Sequence, residues 1–265
     1  MTLVVGLIFL LTAVFLILPV VTTVLMAFDS RDYLGPFPPQ GLSLQWFDKL
    51  WDEQYLWAGF YTSLIVASAA TLISSIVGTL AAVAMSRMTG AARDVLSSLF
   101  LSPLIVPGVI IGFALLMLFS ALGIGSPLTR LIAGHLVITI PYSIRMALIG
   151  LLGVKSSLRE AALSLGANEI QAFLTINFPL AKSSIAAGAV FAFAFSLDDL
   201  AISLFLSDFN TFTLPVALVG LLRSSFDLTI AAAAVGLMGV TLILLLVLDR
   251  TVGLDRVVGL SVDKA

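Results

Sequence analysis

The sequence predicts an all-α polytopic membrane protein with six transmembrane helices and a short helical loop on the cytoplasmic side. Three observations carry this. Of 265 residues, 60% are hydrophobic and only 11% are charged, where a soluble domain carries about a quarter charged; the mean hydropathy is +1.16. Six apolar runs are long enough to cross a membrane core, which takes about 20 helical residues. The connections between them are short, the longest about 30 residues, which leaves no room for a soluble catalytic domain. Each run is expected to be helical, because lipid leaves an open strand edge without hydrogen-bond partners.

The first run, Leu3 to Ala27, has only Met1 and Thr2 ahead of it. It lacks the charged leader and small-residue cleavage site of a signal peptide, so it is expected to stay as a membrane helix. The others are Phe60 to Ser86, Val95 to Leu122, Leu131 to Leu152, Ser184 to Leu206 and Leu228 to Leu248. Cations favour the cytoplasmic side of short loops. With the N-terminus inside, Arg87, Arg93, Lys155, Arg159, Lys182, Arg250, Arg256 and Lys264 are internal, and Arg31, Lys49, Arg130 and Arg223 are external. Eight against four places both termini in the cytoplasm.

The external segment from Asp29 to Gly59 holds all three tryptophans, Trp46, Trp51 and Trp57, behind a Gly35-Pro36-Phe37-Pro38-Pro39 turn that cannot be helical. From Ser43, a plausible N-cap, Leu44, Phe47, Leu50 and Trp51 recur at helical spacing. A short amphipathic helix at the outer interface follows, either as an aromatic anchor for the first two spans or as a dock for an external partner.

The internal segment from Gly153 to Lys182 is the most informative. Ser157 and Glu160 have the spacing of a capping box. Gly166 can end that helix in the left-handed conformation. Asn168 to Gln171 offers a second helix start, ahead of an apolar face of Ile170, Phe173, Leu174 and Phe178, and Pro179 is expected to close this second helix.

The pattern Glu160-Ala161-Ala162, three residues, Gly166, nine residues, Ile176-Asn177-Phe178-Pro179 resembles the EAA loop of ABC importer permeases. The departure from that pattern is Phe178, where the family usually has Leu. The likeness extends to Pro141-Tyr142 with Arg145, and to Ser196-Leu197-Asp198-Asp199-Leu200-Ala201-Ile202, which are similar to the second permease of the spermidine/putrescine importers. The resemblance implies one permease domain over residues 1–265 of a bacterial inner-membrane importer. Its loop, about 153–182, would be the coupling helix that seats in an ATP-hydrolysing subunit. Ala161 and Ala162 would permit close approach and Gly166 would make the turn; Glu160 would either face the ATPase or only cap its helix. The partners implied are a second permease, two ATP-binding subunits and an extracytoplasmic solute-binding protein, within membrane lipid.

Composition limits the alternatives. A net charge of −2 gives no basic surface for nucleic acid. The chain has no cysteine and one histidine, so a metal cluster or thiol nucleophile is not expected. It has no Gly-Lys pair and so no phosphate-binding loop of the GxxxxGK type. No cofactor is expected in this chain; ATP would be bound by the partner. No nucleophile and base constellation marks an enzyme.

Asp198 and Asp199 stand apart from any family. A carboxylate inside a membrane costs about 2.5–3.5 kcal/mol on insertion scales and normally faces a partner or a wet path. Neighbours on a helix diverge by about 100°, so one could hold an adjacent helix while the other lines the path. Asp199 shares a stripe with Ser196 and Ser203. An alternative function is a stand-alone secondary carrier that uses this acidic pair as cation sites; another is an ABC permease for a different small organic solute. Arg145 is expected to snorkel to the inner interface, and His135 to be a hydrogen-bonded packing residue. Small residues at every fourth position, Ala70, Ser74, Gly78 and Ala82, and Ser184, Gly188, Ala192 and Ser196, allow close helix contact. One of these stripes is expected to meet the second permease.

Overall fold

The computed structural model describes residues 2–224 and 227–252. Its order is α1 (Thr2–Ala27), α2 (Gln45–Asp52), α3 (Gln54–Ser86), α4 (Ala91–Leu101), α5 (Gly108–Ala121), α6 (Pro127–Leu152), α7 (Ser156–Ser164), α8 (Glu169–Ala172), α9 (Phe178–Asp198), α10 (Ser203–Leu206), α11 (Leu214–Ser224) and α12 (Thr229–Val252). Among the described residues, pairing of the strand type is confined to a bridge between Asp29 and Leu42. Arg256 and Lys264, counted above for orientation, lie outside the described residues.

Among the described residues, five helices are long and apolar enough to cross a membrane, and a sixth span arises if one bent pair is counted as one crossing. That pair corrects the expected third span. Val95 to Leu122 is two helical pieces: α4 runs on through the 3-10 turn Ser102–Leu104, and after a break at 105–107 α5 leaves at 92°. Pro107 supplies the cause: it removes a helical N–H, disfavours helical backbone in the residue before it, and takes an extended ψ of 129° before α5. Pro103 sits in the first turn of the 3-10 piece, with Ser102 before it still helical.

The fifth span also differs from expectation. Pro179 does not close a helix: it sits in the first turn of α9, where its missing N–H is tolerated. The π turn Phe173–Asn177 carries the helix from α8 into α9 without a break, so 30 residues from Glu169 to Asp198 form one span. That span stops at Asp198, well before the expected Leu206, since Asp199 turns extended with ψ 119°.

The chain forms two compact units. The described residues of Met1–Ala58 and Ala217–Leu242 form the first. Its core gathers Met26, Trp46, Leu228 and Ala232, with Phe47 and Leu50 packed on it. On α2, therefore, Trp46 is buried and the expected apolar positions Leu44 and Trp51 are exposed. The indole N–H of Trp46 donates to the Asp29 carbonyl at 2.8 Å, which ties α2 to the end of α1. Lys49 pairs with Asp227.

The described residues of Gly59–Val216 and Ile243–Ala265 form the second unit. Helix α6 is its centre. The two small-residue stripes both pack within this chain, where one was expected to meet a second permease. A Cβ on Gly78 would stand 2.6 Å from Ser143 Cβ, and one on Gly188 would stand 2.9 Å from Met146 Cβ; Ser143 also donates to Ser74 at 3.2 Å. Interfaces of this kind let backbones approach closely where lipid gives helices no hydrophobic reason to associate.

Candidate functional site

The loop after α6 begins as a helix two residues earlier than the capping-box reading required. Lys155 is the N-cap of α7 and no side chain caps it, so Ser157 and Glu160 both lie inside the helix and the box does not form. Glu160 projects into solvent, and its carboxylate pairs with no described residue. The helix ends on Gly166 at φ +93°. The Gly166 N–H donates to the Leu163 carbonyl at 3.0 Å, and the Ala167 N–H to the Ala162 carbonyl at 3.1 Å. These two bonds make a Schellman turn, which needs a left-handed residue at this position. The capping box lies instead at the second start: Asn168 accepts from the Gln171 amide and Gln171 from the Asn168 amide, both at 2.9 Å.

The two helical pieces are clamped by a residue that sequence reading passed over. Glu169 accepts from Arg87 at 3.0 Å and from Arg159 Nε at 3.2 Å, which joins the end of α3, α7 and α8. A cavity of about 630 Å³ lies behind this clamp. Outside it, Leu165 is 89% exposed and Ile170 70% exposed. The turn thus presents bare leucine and isoleucine beside Glu160 and Ala161.

At the end of α9 the acidic pair divides. Asp198 is exposed and makes no hydrogen bond or ion pair to a described residue. Asp199 is bound: its Oδ2 accepts from the amides of Ile202 and Ser203 at 3.0 Å each, and from the Ser203 hydroxyl at 3.3 Å. These bonds satisfy the free amides at the entry to α10, whose N-cap is Ile202, and stabilise the break.

His135 of α6 is wholly buried and completes the arrangement. Its Nε2 lies 3.0 Å from Ser203 Oγ and its Nδ1 lies 2.6 Å from Ser196 Oγ. A carboxylate accepts only, so Ser203 gives its proton to Asp199 and accepts from Nε2–H. In the neutral ring Nδ1 then accepts from Ser196. Either way the ring joins α9, α10 and α6 through one chain of hydrogen bonds. The segment from Asp199 to Leu206 beds on three glycines. A Cβ on Gly108 would meet Ala201 Cβ at 2.9 Å, one on Gly112 the Ala201 carbonyl at 3.0 Å, and one on Gly134 Ile202 Cγ2 at 2.9 Å.

Arg145 is exposed and pairs with neither aspartate; it lines a smaller cavity of about 270 Å³ with Ser97 and Leu101.

Residues 74–252 match the family described as binding-protein-dependent transport system inner membrane component. The chain is 31% identical over 233 residues to the putrescine transport system permease protein PotI of Escherichia coli, covering 85% of this chain and 82% of that one. It is 27% identical over 220 residues to the spermidine/putrescine transport system permease protein PotC of Haemophilus influenzae, covering 83% and 85%. Among solved structures, a chain of a bacterial ABC transporter involved in the import of the acidic polysaccharide alginate superposes with a TM-score of 0.73 at 17% identity, over 94% of this chain and 95% of that one.

Proposed function

The chain belongs to the family of binding-protein-dependent transport system inner membrane components, and from that premise we propose that it is a permease subunit of an ATP-driven importer of polyamines. Its two compact units serve as one permease domain. It pairs with a second permease, two ATP-binding subunits and an external solute-binding protein, binds no cofactor and catalyses no reaction itself. Both termini face the cytoplasm.

The observation that carries the coupling role is the exposed turn on Gly166, with Glu160 and Ala161 beside it and no partner for the Glu160 carboxylate among the described residues. Closure of the ATPase pair would push on this turn, supplying the differential binding energy that moves a two-state element. Because α8, the π turn and α9 are one continuous helix, a displacement at residue 169 is delivered along a rigid rod to Asp198.

Polyamine as substrate is supported by the names of the relatives and by the division of the acidic pair. Asp198, unpartnered, is the carboxylate that lines the path; Asp199 is structural. A carboxylate about 4 Å from an ammonium contributes roughly 1 kcal/mol in water and about 4 at an effective dielectric of 20, enough to favour entry of a cation without holding it.

Reconstitution with both ATP-binding subunits, the second permease and the binding protein tests this reading. Uptake of labelled putrescine and spermidine should require ATP and the binding protein. Cation uptake that persists without the ATPase would point to a secondary carrier, and ATP-dependent uptake of an uncharged or anionic solute alone would reassign the substrate.

A further inference from the structure

The cavity of about 630 Å³ behind the loop has a charge that the transport reading does not use. It is lined by Arg87, Lys155 and Arg159 against a single carboxylate, Glu169, with Leu151 on its apolar wall. Helices α3 and α6 both end at it, and each helix C-terminus carries about half a negative charge. Glu169 and the two C-termini together offset about two of the three cationic charges, leaving about one. The uncapped start of α7, with Lys155 and Ser156 in the lining, adds to that excess.

We propose that this cavity binds the headgroup of an anionic phospholipid, a phosphodiester of one negative charge bearing a hydroxyl, as in phosphoglycerol lipids. The place fits. Helix α3 ends at Ser86 and α6 at Leu152, and both are spans, so the cavity lies at the level where hydrocarbon gives way to headgroups. Basic pockets between span ends are where acidic headgroups lodge. The hydroxyl has a partner as well: Asn177 lines the cavity and its side-chain oxygen is buried without a donor. The site is also separate from the docking turn. On α7, Ser156 and Arg159 are three apart and share the cavity face, whereas Ser157, Glu160 and Ser164 follow a different stripe. A lipid and an ATPase could therefore be held at once, the lipid bracing the clamp from within.

The test is native mass spectrometry of the full chain in mild detergent, with dioleoyl phosphatidylglycerol and dioleoyl phosphatidylethanolamine as competing probes. Phosphatidylglycerol should be retained in preference. Lys155→Gln, at an exposed position that forms no ion pair with a described residue, should lower that preference about fivefold, the effect of one cation near a lipid surface; Lys155→Arg should restore it. Lys182→Gln, a cation outside the cavity, should leave it unchanged. Equal retention of the two lipids, or an unaltered preference in Lys155→Gln, would overturn the proposal. Displacement of the lipid by millimolar inorganic phosphate would reassign the cavity to a soluble anion.

Discussion

Nε2 of His135 stands 3.8 Å from Oδ2 of Asp199, and the Ser203 hydroxyl, 3.0 Å from the ring nitrogen, bridges the gap. The two residues therefore act on one another through a third. Asp199→Ala would leave the amides of Ile202 and Ser203 without an acceptor and take the proton acceptor from Ser203. Each buried donor left unpaired costs about 1–3 kcal/mol. A clear fall in the thermal midpoint and in the amount of membrane-inserted protein is expected. Asp198→Asn should stay within about 0.5 kcal/mol while uptake per assembled complex drops. Equal stability loss in both variants would remove the distinction drawn between them.

At Gly166 a Cβ would meet nothing within 4 Å, so any cost of substitution there is conformational rather than steric. The left-handed backbone costs an ordinary residue about 1–2 kcal/mol, and a β-branched one is a true outlier there. Gly166→Val should allow ATP hydrolysis by the assembled complex and abolish its link to uptake, with Gly166→Asn milder because asparagine tolerates this region. Measuring both rates on the same preparation decides; normal uptake by the valine variant would show that the turn does not couple.

Which features could be read from sequence follows from where their causes lie. Apolar length is a local property, so the span at Leu3 to Ala27 was legible almost to the residue, and Leu131 to Leu152 at its inner end, while its outer end starts earlier, at Pro127. The left-handed turn at Gly166 was legible because glycine takes that conformation at no steric cost. The break after Asp198 was not: Asp199 holds the Ile202 and Ser203 amides locally, but the turn also needs the room left by Gly108, Gly112 and Gly134 on other helices, with His135 behind. The prolines misled in both directions. Pro103 and Pro107 sit in a run apolar enough to hide a bend, and Pro179 sits where a π turn absorbs it. Glu169 escaped notice because its partners Arg87 and Arg159 are 82 and 10 positions away.

Gly78 sets two magnitudes against each other. Alanine gains about 0.5–1 kcal/mol over glycine in a helix interior, but here its methyl would fall 2.6 Å from Ser143 Cβ and 3.0 Å from the Ile144 backbone nitrogen. Overpacking of that kind costs about 1–3 kcal/mol, so Gly78→Ala should destabilise and Gly78→Val more so. Gly6→Ala, with nothing within 4 Å, should be neutral or stabilising. Thermal unfolding of the three variants checks the order.

The absence of cysteine from the chain makes orientation directly measurable. Single cysteines at Gln40 and Ala91 flank α3, one span, and should label on opposite sides. With the N-terminus inside, an impermeant reagent applied to intact cells should modify position 40 and spare position 91. The reverse pattern would invert the orientation, and labelling at both would deny that α3 crosses.

Asp29 and Arg31, just beyond α1, give a pH test outside the membrane. Both are buried. The Arg31 guanidinium donates to Asp29 from Nε at 2.9 and 3.0 Å and from a second nitrogen, and this holds the carboxyl below its ordinary value although burial pulls it upward. A depressed folded value means that the pair stabilises above the unfolded carboxyl's titration near pH 4 and loses that contribution as pH falls through the folded value. Arg31→Gln removes the cation and leaves burial opposed only by the backbone amides of residues 30 and 31, so most of the stability that the pair adds above the carboxyl's titration should be lost. The gap in thermal midpoint between the native chain and Arg31→Gln should therefore be widest at neutral pH and narrow in acid. Asp29→Asn in the Arg31→Gln background should flatten the variant's pH dependence. A gap that stays constant across pH would show that the guanidinium acts only by filling space beneath the Pro36 carbonyl, to which it also donates at 2.9 Å.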